Sequence, residues 1–152
     1  MTSLMIHAAL GLLCLALFFY VNRRLYRSGW SGSRTSKLEA LYYLIAIGSV
    51  SLGWYFDVRY VQTYPQQAGW IHFTRMLFTN PAASSGAQDL IVANVLLFPL
   101  WTIIDGARRG VKQPWMYFVL SLFTSFGFAM GLYLAIQERQ VRWTNRQAEG
   151  AT

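Results

Sequence analysis

The chain has 152 residues, so a single domain is the expectation. Apolar residues make up 55% of it and aromatics 16%, while charged residues reach only 12%, against roughly a quarter in an average soluble domain. That balance excludes a disordered chain, a disulfide-rich secreted domain and an ordinary cytosolic enzyme, and points to an all-α integral membrane protein. The net charge of +7 then reads as arginines flanking membrane spans rather than as a nucleic-acid surface. The single Cys14 sits in an apolar run and excludes an internal disulfide.

Four apolar runs follow one another. Met1 to Val21 carries no charge until Arg23, and Phe18-Phe19-Tyr20-Val21 offers no small-residue cleavage site, so the run reads as an uncleaved anchor. Ala40 to Phe56 lies between Glu39 and Asp57, Leu90 to Ile104 between Asp89 and Asp105, and Trp115 to Ile136 closes the series. Crossing a hydrocarbon core takes roughly 20 helical residues, so the third run must extend past one of its aspartates. Asn80-Pro81 reads as an N-cap followed by a proline at the first helical position, and Ser85 to Gln88 has capping-box spacing, so two starts are open. The first would carry Asp89 two turns into the helix. The second would leave it in the first turn, favoured by the helix dipole. The expected fold is a four-transmembrane-helix bundle forming one domain, with spans near 3–26, 38–62, 82–107 and 114–138 and a polar tail over 139–152. Gln67 to Thr79, between helices two and three, is too short to span and suits an interfacial or re-entrant helix.

The charges are unevenly distributed. The loop after the first run holds Arg23, Arg24, Arg27, Arg34 and Lys37, and the tight loop after the third holds Arg108, Arg109 and Lys112. Placing both in the cytoplasm puts both termini outside. The tail opposes this, because Arg139, Arg142 and Arg146 would then be external, leaving a bias of only eight to five.

Small residues recur at helical spacing and mark faces for close helix packing: His7, Gly11 and Cys14; Ala46, Ser49, Gly53 and Asp57; Ser121 and Ser125; Gly127 and Gly131. Such stripes belong more often to bundle packing than to cofactor sites. Pro99 should kink helix three and free a carbonyl near Val95, while Asn94, Phe98, Trp101 and Asp105 share one face. Trp54, Trp70, Trp101 and Trp115 suit the interfacial belts.

Three motifs then stand out: Phe78-Thr79-Asn80-Pro81-Ala82-Ala83-Ser84 leading to Asp89-Leu90; Asp105-Gly106-Ala107-Arg108-Arg109-Gly110-Val111 with Trp115; and Ser125-Phe126 leading to Glu138-Arg139. With them, the stretch from about 42 to 139 resembles a bacterial family of small multi-span inner-membrane proteins known only as a domain of unknown function. The resemblance implies a membrane helical fold and brings no activity. Asp105 stands where the family has Glu, and Gly131 where it has proline. Helix one and its basic loop lie outside the resemblance.

Candidate chemistry is sparse. His7 and His72, both toward the outer side, could together ligate haem or a chlorin; the plainer reading of each is a hydrogen-bonded interfacial residue. Asp57, Arg59, Arg75, Asn80 and Asp89 should gather at the outer mouth, with Asp89 bonded to Arg75 or Arg59 and Asn80 capping helix three. That cluster could serve function or simply clasp the fold. Asp105 should pair with Arg108 and Arg109 at the other membrane end, and Glu39, Glu138 and Glu149 lie in polar surroundings. No metal-ligand spacing, nucleophile arrangement or phosphate loop occurs, and no nucleic-acid partner is implied. The expected function is a non-catalytic accessory or assembly subunit of a larger complex, such as a respiratory or photosynthetic one, contacting lipid, pigment or partner helices, its own copy included. An enzyme or binding protein for a hydrophobic small molecule such as an isoprenoid, and a small oligomeric transporter, are the alternatives.

Overall fold

A computed structural model describes residues 2–27 and 35–149; Arg34, counted above with the first basic loop, lies outside them. The described chain is helical, without a strand. Helix α1 covers Thr2–Val21 and is followed by a 3₁₀ turn at Arg23–Leu25. Helix α2 covers Lys37–Thr63, and the short α3 covers Trp70–Leu77. Helix α4 (Pro81–Ile91) runs through a π-helical turn (Val92–Leu97) into α5 (Phe98–Arg109). Helices α6 (Met116–Phe123) and α7 (Phe126–Glu149) complete the chain. Three stretches are long and apolar enough to cross a membrane: Leu4–Val21, Lys37–Thr63 and Pro81–Arg109. The chain is therefore a membrane protein.

The third of these stretches starts at the earlier of the two signals. Asn80 caps α4, its Oδ1 accepting from Ala83 N at 2.9 Å, and Pro81 occupies the first turn where its missing N–H costs nothing. Pro99 is absorbed by the π turn just ahead of it, which widens the helix where the proline ring needs room and lets Phe98 N donate to Ala93 O. The face carrying Asn94, Phe98, Trp101 and Asp105 looks onto α6 and α7: Asn94 meets Ser121, Phe98 meets Phe126, and Trp101 and Asp105 both meet Tyr133.

The fourth stretch departs from expectation. Residues 114–138 are two antiparallel helices rather than one span. The chain breaks at Thr124, with φ −127° and ψ −95°. Two side chains take over the backbone groups freed there: Thr124 Oγ1 donates to Leu120 O at 2.7 Å, and Ser125 Oγ accepts from Phe128 N at 3.1 Å. Helix α7 then runs back alongside α6, which puts Tyr133 edge-on to Tyr117, with ring centroids 4.9 Å apart. The same helix runs antiparallel to α2. Ser125 lies against Gly53, Gly127 against Ser49, and Gly131 against Tyr42 and Ala46.

The end of α7 therefore sits beside the beginning of α2 and the end of α5, and the two described ends of the chain lie at opposite ends of the bundle. The expectation of shared sides is corrected. Arg23, Arg24, Arg27, Lys37, Arg108, Arg109, Lys112, Arg139, Arg142 and Arg146 now all belong to one end, leaving Arg59 and Arg75 for the other.

The core is built around α7, whose Ala129, Leu132, Tyr133 and Ile136 are buried in one cluster with Phe18, Phe98, Tyr117 and Leu120. Glycine is required where α7 crosses α2. A Cβ on Gly131 would stand 2.9 Å from Tyr42 O and 3.0 Å from Ala46 Cβ, backbone and a rigid methyl that cannot swing aside. Gly48, on the open face of α2, would meet nothing within 4 Å. Gly131→Leu should therefore cost about 1–3 kcal/mol or more through overpacking, with Gly48→Ala neutral or mildly stabilising. Unfolding midpoints in detergent check this pair, and equal midpoints would contradict the α2–α7 seam.

Candidate functional site

Among the described residues the charged groups fall into three sites: the basic end, the exposed face of α4, and the opposite end around α3. At the basic end the buried stripe of α7 continues, at helical spacing, into Arg139 and Gln140. Arg139 is 3% exposed, and each of its three guanidinium nitrogens donates a hydrogen bond. Its Nε donates to Glu39 Oε1 at 2.6 Å, Nη1 to Leu25 O at 3.1 Å and Nη2 to Thr35 Oγ1 at 3.1 Å. The guanidinium also lies over the Tyr26 ring, 4.5 Å from its centroid.

Glu39 is fully buried, and its second oxygen accepts from Arg142 Nη2. Ser36 ties the start of α2 to α7: it caps α2 by accepting from Glu39 N at 3.0 Å and donates to Glu138 Oε1 at 3.0 Å. Beside the pair, Arg24 Nη2 donates to Gly110 O at 2.9 Å and to Gln140 Oε1 at 3.0 Å. Burial pushes the Tyr26 phenol far above its ordinary range, so it stays neutral and shares a 2.7 Å hydrogen bond with Tyr43.

The 3₁₀ turn, the start of α2, the loop after α5 and the end of α7 are thus joined through two arginines. Both oxygens of Glu39 are taken, which leaves neither free to act as a base. The cluster is a clasp. Charge counting had left Glu39 and Glu138 in polar surroundings; the cues that would have found the site are Ser36-Lys37-Leu38-Glu39 at capping-box spacing and the in-phase position of Arg139 on the apolar stripe.

The ion pair expected at Asp105 is made with Arg109 alone. Arg109 Nε donates to Asp105 Oδ1 at 2.8 Å, and Tyr133 donates to Oδ2 at 2.7 Å. Arg108 is exposed and takes no part in that bond. Of the packing residues, Gly11 meets Phe123 O and Thr124 at the tip of the hairpin, and Ser125 pairs with Ser49, their hydroxyls 3.1 Å apart. Ser121 Oγ lies 2.8 Å from Asn94 Oδ1.

The outer cluster does not assemble. Asn80 caps α4 as expected, but Asp89 is exposed and, among the described residues, accepts only from its neighbour Gln88, at 2.9 Å. Among the described residues no cation reaches it. Arg59 lies over the Tyr55 ring and Arg75 is exposed on α3. Asp57 is half-buried on α2, away from either arginine's reach. The reason is geometric. With the helix starting at Pro81, the eight residues to Asp89 carry its carboxylate about 12 Å along α4 and away from the connecting loop.

His7 and His72 each bond to a different side chain. Trp70 Nε1 donates to His7 Nε2 at 2.5 Å, whereas His72 Nδ1 lies 2.9 Å from the Tyr60 hydroxyl. Each histidine thus has one ring nitrogen engaged within the fold, by Trp70 at His7 and by Tyr60 at His72.

Residues 41–139 match the family model described as protein of unknown function DUF2834. The chain belongs to this family. The matched stretch takes in α2 from its fifth residue through to Arg139, so the hairpin and the α2–α7 seam are family territory, whereas α1, the 3₁₀ turn and Glu39 lie before it. No curated protein and no solved structure matches the chain.

Arg139→Met should leave the Glu39 carboxylate buried with half its partners gone and cost about 3–5 kcal/mol, while the double change Arg139→Met with Glu39→Leu recovers part of that loss. Thermal unfolding in detergent measures both, with Arg108→Gln as an exposed control. A double variant no better than the single one would show that a stranded Glu39 charge is not what the Arg139 change costs.

Proposed function

We propose that the chain is a non-catalytic accessory or assembly subunit of a larger membrane protein complex in a bacterial inner membrane. In this reading α1, α2 and α4–α5 cross the bilayer, α3 lies at the outer surface, and the α6–α7 hairpin enters from the basic end and returns to it. Among the described residues that end holds ten Lys and Arg against two, an asymmetry that supports its assignment to the cytoplasm. The N-terminus is then external and the tail internal.

The observation behind the subunit role is Asp89. A carboxylate on an outward face of a crossing helix, with only a neighbouring amide to bond among the described residues, is costly in lipid and finds relief against polar groups of another chain. Small residues around it allow close approach: Ala82 is exposed, and Gly86 has open space where a Cβ would stand. Partner helices, a second copy or a neighbouring subunit, would seat there, with lipid covering the rest of α2 and α5. A second reading, binding of a hydrophobic small molecule such as an isoprenoid, draws on one feature, an open apolar groove along α3 lined by Trp70, Ile71, Thr74, Arg75 and Phe78.

Purification of the tagged chain from native membranes in mild detergent should yield a stoichiometric complex, and Asp89→Ala should release the partner while leaving the chain's own unfolding midpoint within about 0.5 kcal/mol. A monodisperse monomer carrying a lipophile would favour the second reading. Single cysteines in a Cys14→Ser background test the topology: one at Arg146 should label only from the cytoplasm and one at Gln66 only from outside. Labelling of both from one side would overturn the three-crossing arrangement.

A further inference from the structure

The geometry points to a second copy of this chain as the partner that covers Asp89, the two α4 helices running side by side about a two-fold axis along the membrane normal. This deepens the subunit reading and rests on its placement of α4–α5 across the bilayer. The face is defined by what lies behind it. Ala87 is buried, and Asn94 and Phe98 carry the inward side of the helix onto α6 and α7. Asp89 stands about 160° round the helix from Ala87. Ala82, Ser85 and Asp89, spaced by three and four residues, share that outward side, and all three are exposed. Beside them Gly86 has open space where a Cβ would stand, so another backbone can come close.

What selects a second copy is the balance of hydrogen-bonding groups on this face. The Gln88 amide has two N–H groups to donate, and the Asp89 carboxylate has two oxygens to accept. Within one chain a single N–H is used, on Asp89 Oδ1 at 2.9 Å. Each copy therefore keeps one N–H and one carboxylate oxygen, Oδ2, on adjacent residues. A two-fold contact brings residue i of one copy to residue j of the other, and j to i. Each remaining N–H then donates to the other copy's Oδ2. Two bonds within the chains and two between them close a ring. A different subunit would have to supply a matching donor and acceptor of its own, whereas a second copy carries both by symmetry.

The membrane supplies the rest of the geometry. Two copies inserted in the same direction pack in parallel, which sets like residues at like depth. In such a pair Ala82, Ser85 and Asp89 take the seam positions, and Gln88 flanks them where a side chain reaches across to the other helix. The spacing continues to Val92, exposed at the start of the π turn, so the seam is apolar below Asp89. A single polar seam residue fixes both the register and the number of helices, because any slip leaves it unpaired. The ring also sets amide donors beside both carboxylates, which offsets the repulsion between them.

Disulfide trapping tests the contact with the purified chain, in a Cys14→Ser background, reconstituted in vesicles of phosphatidylethanolamine and phosphatidylglycerol and oxidised with copper phenanthroline. Ser85→Cys lies on the seam and should give a linked dimer rapidly, while Leu52→Cys, on the exposed side of α2, should give little. Gln88 is exposed, so changing it leaves the fold intact. Adding Gln88→Leu to Ser85→Cys removes both donations between the copies and should slow trapping roughly tenfold. Adding Asp89→Asn instead keeps an acceptor on the seam and should preserve the dimer. Equal trapping at positions 85 and 52, or a rate that Gln88→Leu leaves unchanged, would overturn the two-fold contact. In native membranes, a Ser85→Cys adduct with a different polypeptide and none with itself would overturn it too, while leaving the subunit role standing. A monomer with neither adduct would end both.

Discussion

A guanidinium buried in an apolar bundle constrains everything near it, and Arg139 is that group. It cannot give up its proton and offers only donors, so the fold must bring acceptors to it from several directions. Glu39 supplies a carboxylate from the start of α2, Leu25 a backbone carbonyl from the turn after α1, and Thr35 a hydroxyl from the connecting loop. Those three segments meet only at the basic end. Helix α7 has to finish there, and the reversal at Thr124 follows from where its arginine must go.

The reversal creates a demand of its own. A chain that turns inside a bundle exposes carbonyls at the end of one helix and amides at the start of the next, and in an apolar setting each must find a partner. Thr124 and Ser125 answer locally with their hydroxyls, and Gly11 lets Phe123 O approach α1 closely enough to be covered. Past the turn, Gly127 and Gly131 bring α7 against α2 so that the Arg139–Glu39 bond comes into register. Seam and clasp are one device: the glycines set the distance that the ion pair requires.

The first three apolar stretches were legible because run length and flanking charge carry the relevant physics, and Asn80-Pro81 announced the start of α4. The fourth was not. Trp115 to Ile136 has the length and hydropathy of a span, and neither proline nor a left-handed glycine marks the break; a Thr-Ser pair is a weak signal that recurs in continuous helices. Hydropathy also carries no direction, so the tail arginines counted against the basic loops when they belong with them. The outer cluster failed for a related reason. Proximity in sequence to one loop suggested that Asp57, Arg75 and Asp89 would meet, but the rise of α4 separates Asp89 from the loop, and α3 tilts Arg75 outward. Glu39 escaped notice because its partner lies 100 residues away, a distance no local pattern spans.

The brevity of α6 bears on how the protein is made. Eight residues cover about 12 Å, too little to leave a translocation channel as an independent span and too short to hold a helix alone. On the topology proposed above, α1, α2 and α4–α5 enter the bilayer one at a time, and only then is there a lined recess to receive the hairpin. Because the hairpin follows all three crossing stretches in the chain, chain order and assembly order agree. Arg139 and Glu39 come from the last and the second of the long helices, so the pair that secures the basic end can form only once the hairpin has been made and has reached α2.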